Sequence, residues 1–256
     1  MAVQLTSSQF EIFIKILEER HLADLRFSEV TRALRALSSA YVERRESALA
    51  DHKALDGAGK RAAFAMYYGP LHFLLVQHII KQIGVELAPG LVVDLGCGTG
   101  VAGAAIATSP SPSLSVLGLD THPWTLEEAR FTYQTFALEH DVRRAHAART
   151  RFPRETSIVV AAFVVNELTE RDRATLLEQL KADRRELKAD RRRVLIVEPI
   201  SQRISPWWQE WATEFERLGG RADMWKARID VPPLVKRLAK AAGLRPEMLT
   251  ARSLFV

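Results

Sequence analysis

Two acids and three glycines are the residues of this chain best suited to hold a ligand. Val92-Val93-Asp94-Leu95-Gly96-Cys97-Gly98-Thr99-Gly100 reads as a short apolar strand that ends in a carboxylate and runs into alternating glycines. Glycines at that spacing let the backbone pass close to a bound molecule. The helix expected from Val101 aims its free N–H groups and positive dipole end at the same place. Asp120 stands at the end of the next apolar run, where a carboxylate can accept from both hydroxyls of a ribose. Gly98-Thr99-Gly100-Val101-Ala102-Gly103 also fits the GxGxxG pattern of dinucleotide-binding turns. Those turns receive an anionic pyrophosphate, to which Asp94 is an awkward neighbour. The acid suits instead a ligand that carries an ammonium group and a sulfonium. A sheet turn without any ligand would leave both acids unexplained.

Residues 92–100 resemble motif I of the class I S-adenosylmethionine (SAM) methyltransferases, which commonly reads V-D-L-G-C-G-T-G. The resemblance implies S-adenosyl-L-methionine as cofactor and gives roles to matching positions. Asp94 would lie near the methionine portion, through water. Gly96, Cys97, Gly98 and Gly100 would form the cofactor floor, and Asp120 would hold the ribose. Thr121 and Trp124 would flank the adenine, although Trp124 on a helix reads equally well as core. Ala161, Ala162 and Phe163 match positions that offer backbone contacts to the methionine amine. The acid that many relatives place after the third strand is absent from Ala145-His146-Ala147-Ala148, and Ser157 stands where an aspartate often opens the fourth strand.

The flanks carry a second resemblance. Ala65-Met66-Tyr67-Tyr68-Gly69-Pro70, AAFVVNEL (161–168) and VLIVEP (194–199) are similar to bacterial relatives of the methyltransferase-like assembly factor of the mitochondrial small ribosomal subunit. That family shows an A-Y-x-x-Y-x-P stretch before motif I, an E-L pair after strand four and an E-P after strand five. The likeness covers about residues 40 to 200 and implies a ribosomal subunit or rRNA as partner. Its eukaryotic members have a Cys-rich metal-binding arrangement, whereas the lone cysteine here, Cys97, already lies in the glycine loop.

The elements that must position these residues follow from periodicity. Residues 1–88 read as helices. Ser8-Gln9-Phe10-Glu11 looks like a capping box, with Phe10, Phe13, Ile14 and Leu17 on one face. A second helix starts near Ser28, a break falls at Asp51 to Gly59, and Pro70 suits the first turn of a helix that runs to Gln82. After residue 89 strands are expected at 91–95, 113–120, 142–148, 157–165 and 194–198, alternating with helices. A Trp-rich helix (206–218), a helix (232–242) and a C-terminal antiparallel edge strand or hairpin (244–256) complete the reading. Such alternation implies right-handed βαβ crossovers. The expected fold is α/β: a Rossmann-like, mostly parallel methyltransferase sheet with an antiparallel edge at the C-terminus. The expected domains are a helical region, 1–88, and a SAM-binding domain, 89–256, with a Trp-rich insert at about 200–230.

Ligands of open α/β sheets bind beyond the carboxyl ends of the strands. The pieces able to close over that edge are the Tyr67–Pro70 turn, Asn166-Glu167, Pro199 and the Trp207–Phe215 helix. Glu167 is the first candidate to take a proton from an acceptor, ahead of His72 and His146. It reads equally as a carboxylate at a helix N-terminus. Tyr67 and Tyr68 are either core or contacts to SAM or acceptor. Trp207, Trp211 and Phe215 recur at i, i+4 and i+8, the pattern of a buried stripe or of a lid that lines the acceptor, and Trp208 beside them is the residue expected to face a cavity and the substrate.

Composition narrows the rest. With 256 residues, 47% of them hydrophobic, the chain can bury a sizeable core. One cysteine excludes an intrachain disulfide and leaves too few thiolates for a zinc or iron–sulfur site. No apolar run approaches the roughly 20 residues of a membrane span, and MAVQLTSSQF does not read as a secretory signal, so a cytoplasmic compartment is expected. The net charge of +5 is uneven: residues 89–142 carry −5 and residues 143–193 carry +6. Part of that basic excess lies in a duplicated heptad, LKADRRE (180–186) and LKADRRR (187–193), whose mixed charges fit a solvated face better than an RNA-contacting lever. Three functions stand. The first is a methyltransferase acting on rRNA or a small molecule, the second a non-catalytic SAM-binding ribosome assembly factor, the third an NAD-linked oxidoreductase. No feature bars a monomer.

Overall fold

The apolar runs after residue 89 assemble into one seven-stranded sheet of order β3-β2-β1-β4-β5-β7-β6. The computed structural model describes residues 2–43, 55–109, 113–186, 192–201 and 205–256. The chain sorts into two compact units, residues 1–74 with 227–249 and residues 75–226 with 250–256.

The sheet belongs chiefly to the second unit. Its strands are β1 (Gly90–Leu95), β2 (Leu114–Asp120), β3 (His140–Arg144), β4 (Thr156–Ala162), β5 (Arg193–Glu198), β6 (Arg221–Arg228) and β7 (Met248–Phe255). The first five are parallel, and β7 runs antiparallel to β5. Val92, Val93, Ile158, Val159, Leu195 and Ile196 are fully buried. Strands covered on both faces read as continuous apolar runs, which is why these were visible in the sequence. Chain order reverses between β1 and β4, and Asp94 of β1 pairs with Gly118 of β2 and Val160 of β4. The candidate site therefore lies at the switch point.

Three strand expectations change. The C-terminal strand is not the edge: β7 lies between β5 and β6, and β6 is outermost. Arg221–Arg228 is charged and mostly exposed, so it gave no apolar signal. β4 stops at Ala162 rather than Val165, because Phe163 turns to φ 62° and a 3-10 turn occupies Val165–Glu167. β3 starts at His140 and ends by Arg144, before the predicted 148.

The helices that flank the sheet include α5 (Val101–Ala107), α6 (Pro123–Thr135), α7 (Glu170–Glu186) and α8 (Trp208–Arg217). The second heptad copy lies largely outside the described residues. The first copy is tied down: Lys181 pairs with Glu178 at 2.7 Å and Glu214 at 2.9 Å, and Asp183 pairs with the buried Arg192.

The first unit is helical. It holds α1 (Ala2–His21), α2 (Phe27–Glu43), α3 (Ala58–Ala63), most of its continuation toward α4 (Gly69–Ile83), and α9 (Pro233–Ala242). Phe13, Leu17, Val30, Leu34 and Leu37 are buried at the predicted spacings. Ser8 lies inside α1 and is no N-cap. Residues 51–54 of the expected break lie outside the described residues.

Pro70 does not open a fresh helix. α3 passes into a π-helical turn, Phe64–Tyr68, and then directly into α4. Proline lacks the N–H that an interior α-helical position donates, and the wider π turn takes up the mismatch. The expected Tyr67–Pro70 turn is thus helix. The division at residue 88 also differs from the observed grouping. α9 joins the N-terminal helices, with Leu234, Val235 and Leu238 buried and the Arg237 guanidinium bonded to Glu18. Among the described residues no helix is long and apolar enough to cross a membrane.

Candidate active site

The loop from Gly96 to Gly100 is held by its own backbone. Cys97 N–H donates to Leu119 O at 2.9 Å, and Gly100 N–H to Cys97 O at 2.7 Å. Gly96 has φ 60° and Gly100 φ 77°, values that favour glycine. Space demands it as well. A Cβ on Gly96 would sit 2.2 Å from Val164 Cγ2, and one on Gly100 would sit 2.9 Å from Ala129 Cα. The loop is thus pressed between the turn after β4 and helix α6.

Asp94 works beneath this loop. It is 1% exposed, and Oδ2 accepts from Gly103 N–H at 2.8 Å and from the Tyr133 hydroxyl at 3.2 Å. Those bonds tie β1 to α5 and α6, so the acid braces the floor from within. Burial pushes its pKa up from 3.8 to about 7, offset in part by the two hydrogen bonds. Burial also pushes the Tyr133 hydroxyl and the Cys97 thiol well above their usual ranges. Tyr133 is fully buried and was not foreseen, because an aromatic on an amphipathic helix reads as core.

Asp120 shapes the wall. Oδ2 accepts from Gly98 N–H at 3.0 Å and Oδ1 from His122 N–H at 2.9 Å, while the side chain remains half-buried. One carboxylate therefore fixes both the loop and the start of α6. A carboxylate has about four lone-pair sites, so it retains capacity for further donors. His122 caps α6, accepting through Nδ1 from Trp124 N–H at 3.2 Å. Thr121 and Trp124 are half-buried just beyond Asp120. Across the loop, Ala162 ends β4, and Phe163 holds its left-handed conformation with N–H bonded to Val197 O at 2.8 Å. Strained backbone of this kind gathers at functional sites.

A second polar cluster lies at the ends of β4 and β5. Glu198 is fully buried; Oε1 accepts from Val165 N–H at 2.8 Å and Asn166 N–H at 3.2 Å, and Oε2 from Asn166 Nδ2 at 2.6 Å. Asn166 Oδ1 accepts from Trp207 Nε1 at 2.9 Å. Both ends of the Asn166 amide are engaged within the protein, so it positions the turn. Burial pushes Glu198 up to about 8, against the pull of those amides. The sequence signal for Glu198 was only the acid that closes an apolar strand before Pro199.

Glu167 is solvent-accessible at the tip of this turn. It precedes α7 and is not its N-terminal carboxylate; that place is taken by a capping pair, Thr169 and Asp172. Desolvation by the surrounding protein, then the Asp120 carboxylate, push Glu167 up to about 8. Trp207, Trp211 and Phe215 are core, whereas Trp208 is half-buried with the Arg252 guanidinium 4.1 Å from its ring centroid.

Tyr67, Tyr68 and His72 belong to the helical unit. Tyr67 is 5% exposed and packs edge-on to Tyr68, with centroids 5.2 Å apart. Tyr68 bonds Ser38, and burial pushes both phenols up to about 12. Desolvation lowers His72 to about 4, so it is neutral near pH 7. His146 caps a 3-10 turn and faces Asp172 at 3.8 Å.

Comparison with known proteins agrees with this geometry. Residues 92–183 match a methyltransferase domain family. The chain is 40% identical over 102 residues to a trans-aconitate 2-methyltransferase of Methylobacterium radiotolerans, a match that covers 40% of this chain and 36% of that protein. The chain thus spans about a third of the length of that curated relative. A solved structure from Nostoc punctiforme, described as a proposed O-methyltransferase, superposes with a TM-score of 0.53 over 96% of this chain and 71% of that one, at 14% identity. Residues 92–183 thus resemble a methyltransferase domain, and the sheet that carries them has the Rossmann-like fold shared with that solved structure. The likeness to the ribosomal-subunit assembly family finds no support in these comparisons.

The class implies SAM, and the residues present fit it. The glycine floor leaves no room for side chains where the loop is pressed between its neighbours, and Asp120 keeps acceptor capacity at the wall. Thr99 Oγ1, within the loop, is buried with no hydrogen-bond partner among the described residues.

Proposed function

We propose that the chain is a SAM-dependent methyltransferase acting on a small-molecule acceptor. The observation that carries the reading is the Gly96–Gly100 loop with Asp120 bonded to it at the switch point of the sheet. When bound, SAM supplies an electrophilic methyl group on a sulfonium. Asp120 accepts from the ribose hydroxyls while it holds Gly98 and His122, and Thr121 and Trp124 flank the adenine. The Gly96–Gly100 backbone, Cys97 among it, floors the site, and Ala162 and Phe163 offer backbone to the methionine amine. Asp94 fixes the floor through Gly103 and Tyr133. Glu198 and Asn166 set the turn that presents Glu167.

Glu167 accepts the acceptor's proton where the acceptor carries one. Its raised pKa leaves the ionised form in the minority at pH 7, which makes it a stronger base when ionised and favours reaction at higher pH. Positioning and exclusion of water supply the rest of the rate.

Two observations favour a small molecule over RNA. The partial relative is named for trans-aconitate. Cations in the basic half are also drawn into ion pairs: Arg143 with Asp141, Lys181 with Glu178 and Glu214, Arg192 with Asp183, Arg217 with Glu214 and Arg221 with Asp223. Phosphate contacts need cations free to meet them. The test incubates the chain with methyl-labelled SAM against a metabolite panel and, in parallel, against total rRNA. Label in a small molecule is the expected result. Label in rRNA alone, or in neither while SAM binds, overturns the reading.

A further inference from the structure

Arg252 is a buried cation that the proposed chemistry does not use. It sits opposite Glu198 in the β5–β7 register, hence at the same carboxyl edge of the sheet. It is 4% exposed, and its Nε and Nη2 are closed to solvent with no acceptor among the described residues. Glu198 is the nearby anion and acts on Arg252 electrostatically, but its hydrogen bonds come from Val165 and Asn166, and it does not accept from Arg252 Nε or Nη2. The guanidinium instead lies over the indole of Trp208. Ser205 Oγ, at the turn that opens α8, is also buried and without a partner among the described residues, while the Ser205 carbonyl accepts from Trp208 N–H at 3.2 Å.

Leaving two buried guanidinium N–H groups without acceptors is costly, since their hydration is lost without replacement. The two unpartnered nitrogens are those of one edge of the guanidinium fork. That edge matches the two oxygens of a carboxylate, which it binds in parallel. A ring or planar chain attached to the carboxylate could then lie against Trp208. The cluster stands beyond β4 and β5, on the far side of the sheet's switch point from Asp120. That is the side left for the acceptor.

We infer that Arg252, with Trp208 and Ser205, is a binding site for a carboxylate of the methyl acceptor. This rests on the methyltransferase reading and adds to it the chemical class of the acceptor, an organic anion. Both nitrogens are closed in the arrangement seen, so the carboxylate reaches them as the half-buried Trp208 indole shifts. Binding therefore changes indole emission.

A carboxylate at this edge has two sources, the acceptor or the methionine end of the cofactor, and the test separates them. Affinity for S-adenosylhomocysteine is measured calorimetrically for the wild type, Arg252→Gln and Arg252→Lys. Cinnamate against cinnamamide and glutarate against glutaramide are then titrated into each protein, with and without S-adenosylhomocysteine. The wild type should prefer at least one carboxylate over its amide by ~10-fold or more, as charge-assisted bonds require. Arg252→Gln should bring that ratio to within ~2-fold, and Arg252→Lys should recover only part of it, because lysine cannot bind bidentately. Affinity for S-adenosylhomocysteine should not change.

A carboxylate preference absent from the wild type, or equal in wild type and Arg252→Gln, overturns the inference. So does a loss confined to S-adenosylhomocysteine, which would place the cofactor's own carboxylate here. If Arg252→Gln does not fold, Ser205→Ala and Trp208→Phe decide: the first must weaken the carboxylate and not the amide, and the second must abolish the emission change. If the wild type fails to bind S-adenosylhomocysteine, the functional reading falls, and the carboxylate titrations without it still judge the Arg252 site.

Discussion

On the β1–β2 side of the sheet the acids are met mainly by backbone amides, Gly103 for Asp94 and Gly98 and His122 for Asp120, with one distant side chain, the Tyr133 hydroxyl on Asp94. On the β5–β7 side the polar contacts join distant segments. Asn166 meets Glu198 across 32 residues and Trp207 across 41, and Arg252 lies over Trp208 with two nitrogens unmatched. The first side is a backbone-held frame built around one glycine motif. The second is assembled by the fold and keeps donors in reserve. A common cofactor needs a fixed cradle, and an acceptor site needs groups specific to one ligand, so this division matches the proposed work of each side.

The largest effect expected from breaking the frame is at Gly96. Gly96→Ala brings a Cβ against Val164 at a left-handed φ, and should cost about 2–4 kcal/mol in a urea melt. Adding Val164→Ala should recover part of that loss. Failure to recover any would mean that the steric account of the loop is wrong.

On the other side, Glu167→Gln should lower kcat about 100-fold for a protonated acceptor. It should also remove the alkaline rise in wild-type kcat that the raised Glu167 pKa produces. A variant profile that keeps this limb would assign the proton transfer to another group. Asp120→Ala should weaken SAM binding about tenfold or more, and lower stability by about 1–2 kcal/mol as the Gly98 and His122 amides lose their acceptor. Unchanged SAM affinity would refute the ribose role and leave Asp120 purely a brace.

The smallest effect compares the buried acids on both sides. Asp94 rises from 3.8 to about 7 and Glu198 from 4.5 to about 8 on folding. A carboxyl whose folded pKa lies above its unfolded one binds protons more tightly in the fold, so stability falls as pH rises through that window. Thermal melts should therefore show lower stability at pH 8.5 than at pH 5.5. Asp94→Asn should make the decline shallower, since it removes one of the raised carboxyls. An equal or steeper decline would show that Asp94 is ionised throughout.

The same asymmetry explains what the sequence made legible. The Gly96–Gly100 loop, Asp94 and Asp120 could be placed because strand, turn and acid are contiguous, and because β1, β2, β4 and β5 are buried on both faces. The links of Asn166 to Glu198 and Trp207 were not legible, since no local pattern shows which distant residues will meet its amide. β6 was missed because its residues are charged and exposed, which made β7 look like the edge. Pro70 signalled a helix start by its usual preference, but a π turn absorbed it within a continuous helix. Arg252 looked like any cation in a short C-terminal segment; only the pairing of β7 with β5 places it opposite Glu198.

The central claim is that the glycine-loop frame is built for SAM. Calorimetric titration of the full chain with SAM, S-adenosylhomocysteine and NAD tests it most directly. The account predicts saturable binding of SAM and S-adenosylhomocysteine at one site per chain, weakened by Asp120→Ala, and no binding of NAD. A protein that binds NAD and not SAM, or that binds SAM equally well without the Asp120 carboxylate, would contradict it.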